Sequence, residues 1–102
     1  MRNAAIAAFI VTAALSSAAV AADAETGRTI ARQWCAGCHI VEAAQAGGDS
    51  APAFPSIAND PNRNPSALRA WLSDPHPPMP NLQLSRSEID DVIAYLQTLR
   101  QP

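Results

Sequence analysis

The sequence contains no lysine, only two cysteines and only five aromatic residues among its 102 positions. Without lysine, the positive charge rests on seven scattered arginines, and nine acidic side chains outnumber them. Neutralising phosphates requires clustered positive charge, so nucleic acid is excluded as a partner. One of the five aromatics, Phe9, lies in an N-terminal run, which leaves Trp34, Phe54, Trp71 and Tyr95 for the remainder. That is thin for an unaided hydrophobic core. The length allows one domain and is too short for a nucleotide-fold enzyme with a large cleft.

The N-terminal run is itself informative. After Met1-Arg2-Asn3, the stretch from Ala4 to Ala22 carries no charge, is rich in Ala, Ile, Val and Leu, and ends in Ala19-Val20-Ala21-Ala22. A positive start, a short apolar run and a small-x-small end read as a secretory signal peptide. Its 19 charge-free residues are nearly enough for an uncleaved membrane anchor. The high alanine content, with Thr12, Ser16 and Ser17 interrupting the run, favours cleavage. Both readings export the rest of the chain, and the expected location is the periplasm. Cleavage before Asp23 leaves residues 23–102, with six arginines against nine acids and a net charge of −3. A domain of about 80 residues buries only about 60% of its unfolded surface, so such chains commonly take stability from a disulfide, a metal or a cofactor.

Residues 23–102 have no internal repeat and no convincing strand alternation. Ala24 to Trp34 reads as a first helix, with Ile30, Ala31 and Trp34 at helical spacing. The chain from Ala36 to Ala53 reads as loop, loosest at Gly47-Gly48-Asp49-Ser50. Phe54 to Ala58 fits one short helical turn, and Asn59-Asp60-Pro61-Asn62 is turn chemistry. Asn64-Pro65 supplies an N-cap and a first-turn proline for a helix bearing Leu68, Trp71 and Leu72, which ends before Asp74-Pro75. Pro75, Pro77, Pro78 and Pro80 predict an extended segment. Ser85 and Glu88 fit a capping box at the head of a last helix striped with Ile89, Val92, Ile93, Leu96 and Leu99. The class is all-α with long loops.

The chemistry concentrates at Cys35-Ala36-Gly37-Cys38-His39. This C-x-x-C-H arrangement is the attachment signature of c-type haem. Two thiols three residues apart share one helical turn and can add across the two haem vinyl groups. His39, next in sequence, then reaches the iron from the same side. Covalent attachment suits a chain too small to grip a cofactor by packing alone, and the haem becomes the missing core. Three other readings compete. A thioredoxin-type redox pair would need a βαβ context. A Cys35–Cys38 disulfide would close too small a loop to constrain much. Zinc held by Cys35, Cys38, His39 and His76 would require adjacent Cys38 and His39 to converge on one tetrahedral ion.

A haem iron has a second face. Met79 lies 40 residues after His39 and is the only methionine besides Met1. A lone methionine is usually core filler. Its setting in Pro77-Pro78-Met79-Pro80 argues instead for a rigid segment presenting one ligand, and His/Met ligation raises the reduction potential. His76, three residues earlier, is the alternative ligand. Trp71, with Arg63 or Arg69, is a candidate to steady a haem propionate, set against a plain core role for an aromatic on the middle helix.

Over residues 24–100 the chain resembles the small bacterial class I c-type cytochromes. Gly27 lies eight residues before Cys35, as the helix-crossing glycine of that family does, and Ile93-Ala94-Tyr95-Leu96 resembles its C-terminal helix motif. The resemblance implies three main helices and long loops wrapped around one covalently bound haem, with Gly27 packed near Val92 and Tyr95. Ala51-Pro52-Ala53-Phe54 resembles the family segment whose proline carbonyl accepts the Nδ1 proton of the axial histidine, which would make Pro52 the group that orients His39. Two features depart from the pattern. Ala31 stands where many relatives carry an aromatic, leaving that contact to Trp34 or Ile30, and the lysine ring that several relatives use for docking is absent.

With Cys35 and Cys38 holding haem c and His39 and Met79 both on iron, no position remains for substrate. The expected activity is one-electron cycling between Fe(III) and Fe(II), not enzyme catalysis, in a soluble carrier or the cytochrome subunit of a dehydrogenase. The alternative is a haem protein with a labile sixth ligand, acting as a gas sensor or weak peroxidase. The expected partners are redox proteins with positive or apolar docking faces, and a membrane only if the N-terminal run stays attached.

Overall fold

A computed structural model of the protein describes residues 4–12, 21–43 and 48–102. Among the described residues there are helices and turns and no strand. Residues 4–12 form no helix and leave Ile6, Phe9, Ile10 and Val11 exposed. The rest of the N-terminal run, 1–3 and 13–20, lies outside the described residues, as does Gly47. No described helix is long and apolar enough to cross a membrane.

Helix α1 spans Ala24–Ile30 and is capped by Asp23, whose carboxylate accepts from the Glu25 backbone N–H at 3.0 Å and the Thr26 hydroxyl at 2.7 Å. The expected helix to Trp34 changes pitch before it ends. From Ala31 to Cys35 the backbone is a π-helical turn, closed by the Ala36 N–H on the Ala31 carbonyl at 3.1 Å. An i→i+5 bond adds a residue to the turn and rotates the side chains beyond it about the helix axis. Ile30 and Ala31 are buried as the spacing predicts, but Trp34 is 57% exposed and does not belong to the core face.

Helix α2 is the short Phe54–Ala58 turn, and α3 covers Pro65–Ser73. The Asn64 side chain accepts from the Ala67 N–H at 2.8 Å, and Pro65 occupies the first turn, where its missing N–H costs nothing. Helix α4, Arg86–Thr98, opens with the anticipated capping box. The Glu88 N–H donates to Ser85 Oγ at 3.2 Å, while the Ser85 N–H donates to Glu88 Oε1 at 2.9 Å.

Helix α4 is the hub of the molecule, packing on α1, α2 and α3. Its buried stripe is Ile89, Val92, Ile93, Tyr95 and Leu96. The α1–α4 crossing is the most extensive contact, and Gly27 makes it possible. A Cβ at that position would run into the Asp91 carbonyl and come within 2.9 Å of Tyr95 Cβ. The crossing partners are therefore Asp91 and Tyr95, one residue from the expected Val92, because the nearest atom belongs to the α4 backbone. Asp91 also accepts from the Asp23 N–H at 2.7 Å, which pins the start of α1 to α4.

The proline segment is not extended as expected. Residues 76–79 form a turn in which the Met79 N–H donates to the His76 carbonyl at 3.1 Å, and the Pro77–Pro78 peptide is cis. Four prolines restrict φ but leave the Met79 N–H free to close the turn. Gly48, expected at the loosest point of its loop, is closely packed. A Cβ there would strike the Gly37 carbonyl and lie 3.1 Å from Cys38 Cα.

Candidate functional site

Cys35 ends the π turn, and its carbonyl accepts from the Cys38 N–H at 3.2 Å and the His39 N–H at 2.9 Å. These bonds wind the C-x-x-C-H residues into a compact turn. Two further bonds lace it to the segment ahead of α2: the Ala51 N–H donates to the Cys38 carbonyl at 3.0 Å, and the Phe54 N–H to the Ile40 carbonyl at 2.8 Å. The lacing brings the Pro52 carbonyl within 2.6 Å of His39 Nδ1. A carbonyl can only accept, so Nδ1 carries the proton, and in the neutral ring Nε2 keeps a free lone pair. The Phe54 ring meets the imidazole edge-on at 5.4 Å, fixing its plane from a second direction.

The two thiols are not bridged. Cys35 is buried, and desolvation pushes its thiol up to about 11, so it is neutral at pH 7. Cys38 is exposed. Among the described residues no three His, Cys, Asp or Glu side chains gather to hold a metal ion, so the tetrahedral zinc arrangement is not formed there.

All of these groups face one cavity of about 470 Å³. Cys35, Cys38, His39 and Pro52 line one part of it, and Trp71, His76 and Met79 another. Leu68 of α3 with Val92 and Leu96 of α4 add apolar wall. That volume lies in the range of about 300–1,000 Å³ for sites that enclose a cofactor-sized molecule. The core around it is sparse. Among the described residues, Val41 and Val92 are the largest fully buried side chains, and no charged side chain is buried. A free imidazole nitrogen, a thioether and two unbridged thiols on a largely apolar cavity are the donor set that haem c requires. The residues fit the group.

The six residues singled out in the sequence, Cys35, Cys38, His39, Pro52, Trp71 and Met79, therefore share one cavity. Arg63 lines it too, with its guanidinium 5.6 Å from the Trp71 ring centroid. Arg69 does not line it; it donates to Asp90 at 3.1 Å and ties α3 to α4. Trp71 is half-buried on the cavity wall, and its Nε1–H donates to Met79 Sδ at 3.1 Å. No spacing rule could have shown that bond, which closes across the turn at 76–79. Exposed Trp34 at the cavity margin was equally hidden, because helical periodicity placed it inside.

Residues 22–96 match the family model described as Cytochrome C oxidase, cbb3-type, subunit III. The chain belongs to the c-type cytochromes. It is also 45% identical over 89 residues to cytochrome c-552 of Bradyrhizobium diazoefficiens (strain USDA 110), covering 86% of each chain. No solved structure matches it. Membership in the cytochrome c family implies haem c as the prosthetic group, electron transfer as the activity and redox proteins as partners.

Proposed function

We propose that this c-type cytochrome is an exported one-electron carrier whose haem is attached through Cys35 and Cys38 and ligated by His39 and Met79. The observation that carries the reading is the bond from His39 Nδ1 to the Pro52 carbonyl, 2.6 Å long, on the same cavity that Met79 lines. Pro52 fixes the tautomer and turns Nε2 into the donor, and hydrogen bonding at Nδ1 raises its basicity. Met79 offers a soft, neutral thioether, which favours the reduced state and raises the potential. When bound, haem supplies the cycling between ferric and ferrous iron.

The protein's part is positional. The laced C-x-x-C-H turn holds His39, and the hydrogen-bonded turn at 76–79 holds Met79. Leu68, Val92 and Leu96 keep water from the cavity wall between them. With His39 and Met79 both holding the iron, no position would be left open for substrate, which supports a carrier over an enzyme. Export rests on the charge-free run from Ala4 to Ala22 with its small-residue end, read as a signal peptide cut before Asp23, and the compartment is then the periplasm.

The test is covalent. Expressed in a host with c-type haem maturation, the secreted protein keeps its haem through denaturation in acidified organic solvent, and its mass equals residues 23–102 plus one haem. The double variant Cys35→Ala, Cys38→Ala loses all covalent haem. Haem retained by that variant, or a mature chain that binds none, would overturn the reading.

A further inference from the structure

Among the described residues from Asp23 onward, Trp34 alone of the large hydrophobic side chains stands exposed. The π turn fixes it there, because Ala31 and Cys35 of the same turn are buried. Trp34 lines two cavities. One is the cavity it shares with Cys35, Cys38 and Met79, and the other is a groove of about 190 Å³ lined also by Leu82, Gln83, Leu84 and Glu88. Leu82 and Leu84 are half-buried and pack against the core. The segment that bears them is held in place, since Asn81 Oδ1 accepts from the Gln83 N–H at 2.8 Å, where Gln83 has a φ of 53°.

The charge at this surface is negative or matched. Glu88 is the charged residue of the groove lining, and Arg86, two residues earlier, does not line it. The Ser85 N–H holds the Glu88 carboxyl below its ordinary range, so it is ionised at pH 7. Arg32, two residues before Trp34, is paired with Glu42 at 2.6 Å, as is Arg28 at 2.7 Å. Glu25 lies 4.0 Å from Arg28, so that four-residue cluster sums to zero. Residues 23–102 as a whole carry −3. An indole face attracts cations, and tryptophan is among the side chains that dominate binding energy at the centre of an interface.

We propose that Trp34 is the central contact for the redox partner: its indole and the groove beside it receive an apolar patch, rimmed by lysine or arginine, on a partner protein. This rests on the reading of the protein as a one-electron carrier. Trp34 is the wall that the groove shares with the functional cavity, so a partner seated on it lies beside the site that handles the electron. The charge roles are reversed from those of a lysine-ringed cytochrome. The positive rim belongs to the partner, and this chain supplies the aromatic and the carboxylate.

The experiment titrates the reduced holoprotein with a blue-copper protein whose apolar patch is ringed by lysines, in its cuprous form, and follows amide and indole N–H resonances. The largest shifts are expected at the Trp34 indole, Leu82, Leu84 and Glu88. Trp34→Ala is expected to weaken binding about tenfold, with Trp34→Phe in between. The map of shifts is read on the wild type, so it decides the matter even should a variant fold poorly. No shifts, shifts centred elsewhere, or an unchanged affinity in folded Trp34→Ala overturns the proposal. Shifts at the same residues on raising the protein's own concentration without the probe also overturn it, in favour of a second copy as the occupant. Mixing the reduced wild type with the cupric probe separates this failure from that of the carrier reading. Loss of the blue band, as one electron passes to copper, leaves the carrier reading standing whatever the shifts show. A band that persists overturns the carrier reading, and this inference with it.

Discussion

His39 and Pro52 are joined by a 2.6 Å hydrogen bond between the imidazole Nδ1 and the proline carbonyl. Residues 48–54 lie against the C-x-x-C-H turn. Gly48 lies against the Gly37–Cys38 backbone, and the Ala51 and Phe54 N–H groups pair with the Cys38 and Ile40 carbonyls. The orientation of the histidine is thus set by main-chain bonds, which substitution of neighbouring side chains leaves in place. Its dependence on sequence enters through the glycine that permits the close approach.

Gly48→Val tests that dependence. The new side chain meets the Gly37 carbonyl, and backbone on both sides cannot yield cheaply. Overpacking of this kind costs about 1–3 kcal/mol. Denaturant unfolding should show a lowered midpoint, and the yield of covalently attached haem should fall with it. Wild-type stability and yield would refute the close-packing account of this loop.

Gly27→Ala probes the α1–α4 crossing. The added methyl runs into the Asp91 carbonyl, so either the helices separate or the crossing shifts. The expected loss is again about 1–3 kcal/mol, read as a fall in unfolding midpoint with an unchanged visible spectrum if the haem site holds.

Tyr95→Phe removes a buried bond without changing shape. The Tyr95 hydroxyl donates to the Val41 carbonyl at 2.6 Å, and Val41 is fully buried. A buried carbonyl left without a donor costs about 1–3 kcal/mol. Equilibrium unfolding of the variant should show that loss.

Much of this architecture is legible in the sequence because it is local. The Ser85–Glu88 capping box, the Asn64-Pro65 helix start and the stripe from Ile89 to Leu96 follow from short-range rules that the fold does not override. The C-x-x-C-H signature located the cavity, and the resemblance of Ala51-Pro52-Ala53-Phe54 to a family segment pointed to the His39–Pro52 bond. What escaped was decided by backbone bonding over one turn or by contact between distant segments. The π turn at Ala31–Cys35 put Trp34 outside. The turn at 76–79 replaced an extended proline run. The Trp71–Met79 bond depends on both α3 and that turn.

Glu42 gives a pH signature. The Arg32 and Arg28 side chains donate to its carboxylate at 2.6 and 2.7 Å, lowering its pKa from 4.5 to about 2. The folded pKa is below the unfolded one, so the stabilisation is fully present above about pH 4.5 and is lost as pH falls toward 2. Glu42→Gln should therefore be less stable than wild type at pH 7, with the difference shrinking through that window. A stability difference independent of pH between 7 and 2 would contradict the ion-pair account.

The electron-transfer surface also has a charge prediction. Residues 23–102 carry a net charge of −3, so association with a positively charged redox partner should slow as salt rises. The screening length falls from about 30 Å at 0.01 M to about 3 Å at 1 M, and complementary charge acts chiefly on the association rate. An association rate indifferent to ionic strength would remove electrostatics from partner choice.

The most direct test of the account is the oxidised absorption spectrum of the matured protein beside that of Met79→Ala. Ligation by His39 and Met79 predicts a weak far-red sulfur-to-iron band in the wild type. In the variant the band disappears, the reduction potential falls and the ferrous iron binds carbon monoxide. A haem protein without that band, or a band that survives in Met79→Ala, would contradict the assignment and move the sixth position to His76 or to an open iron.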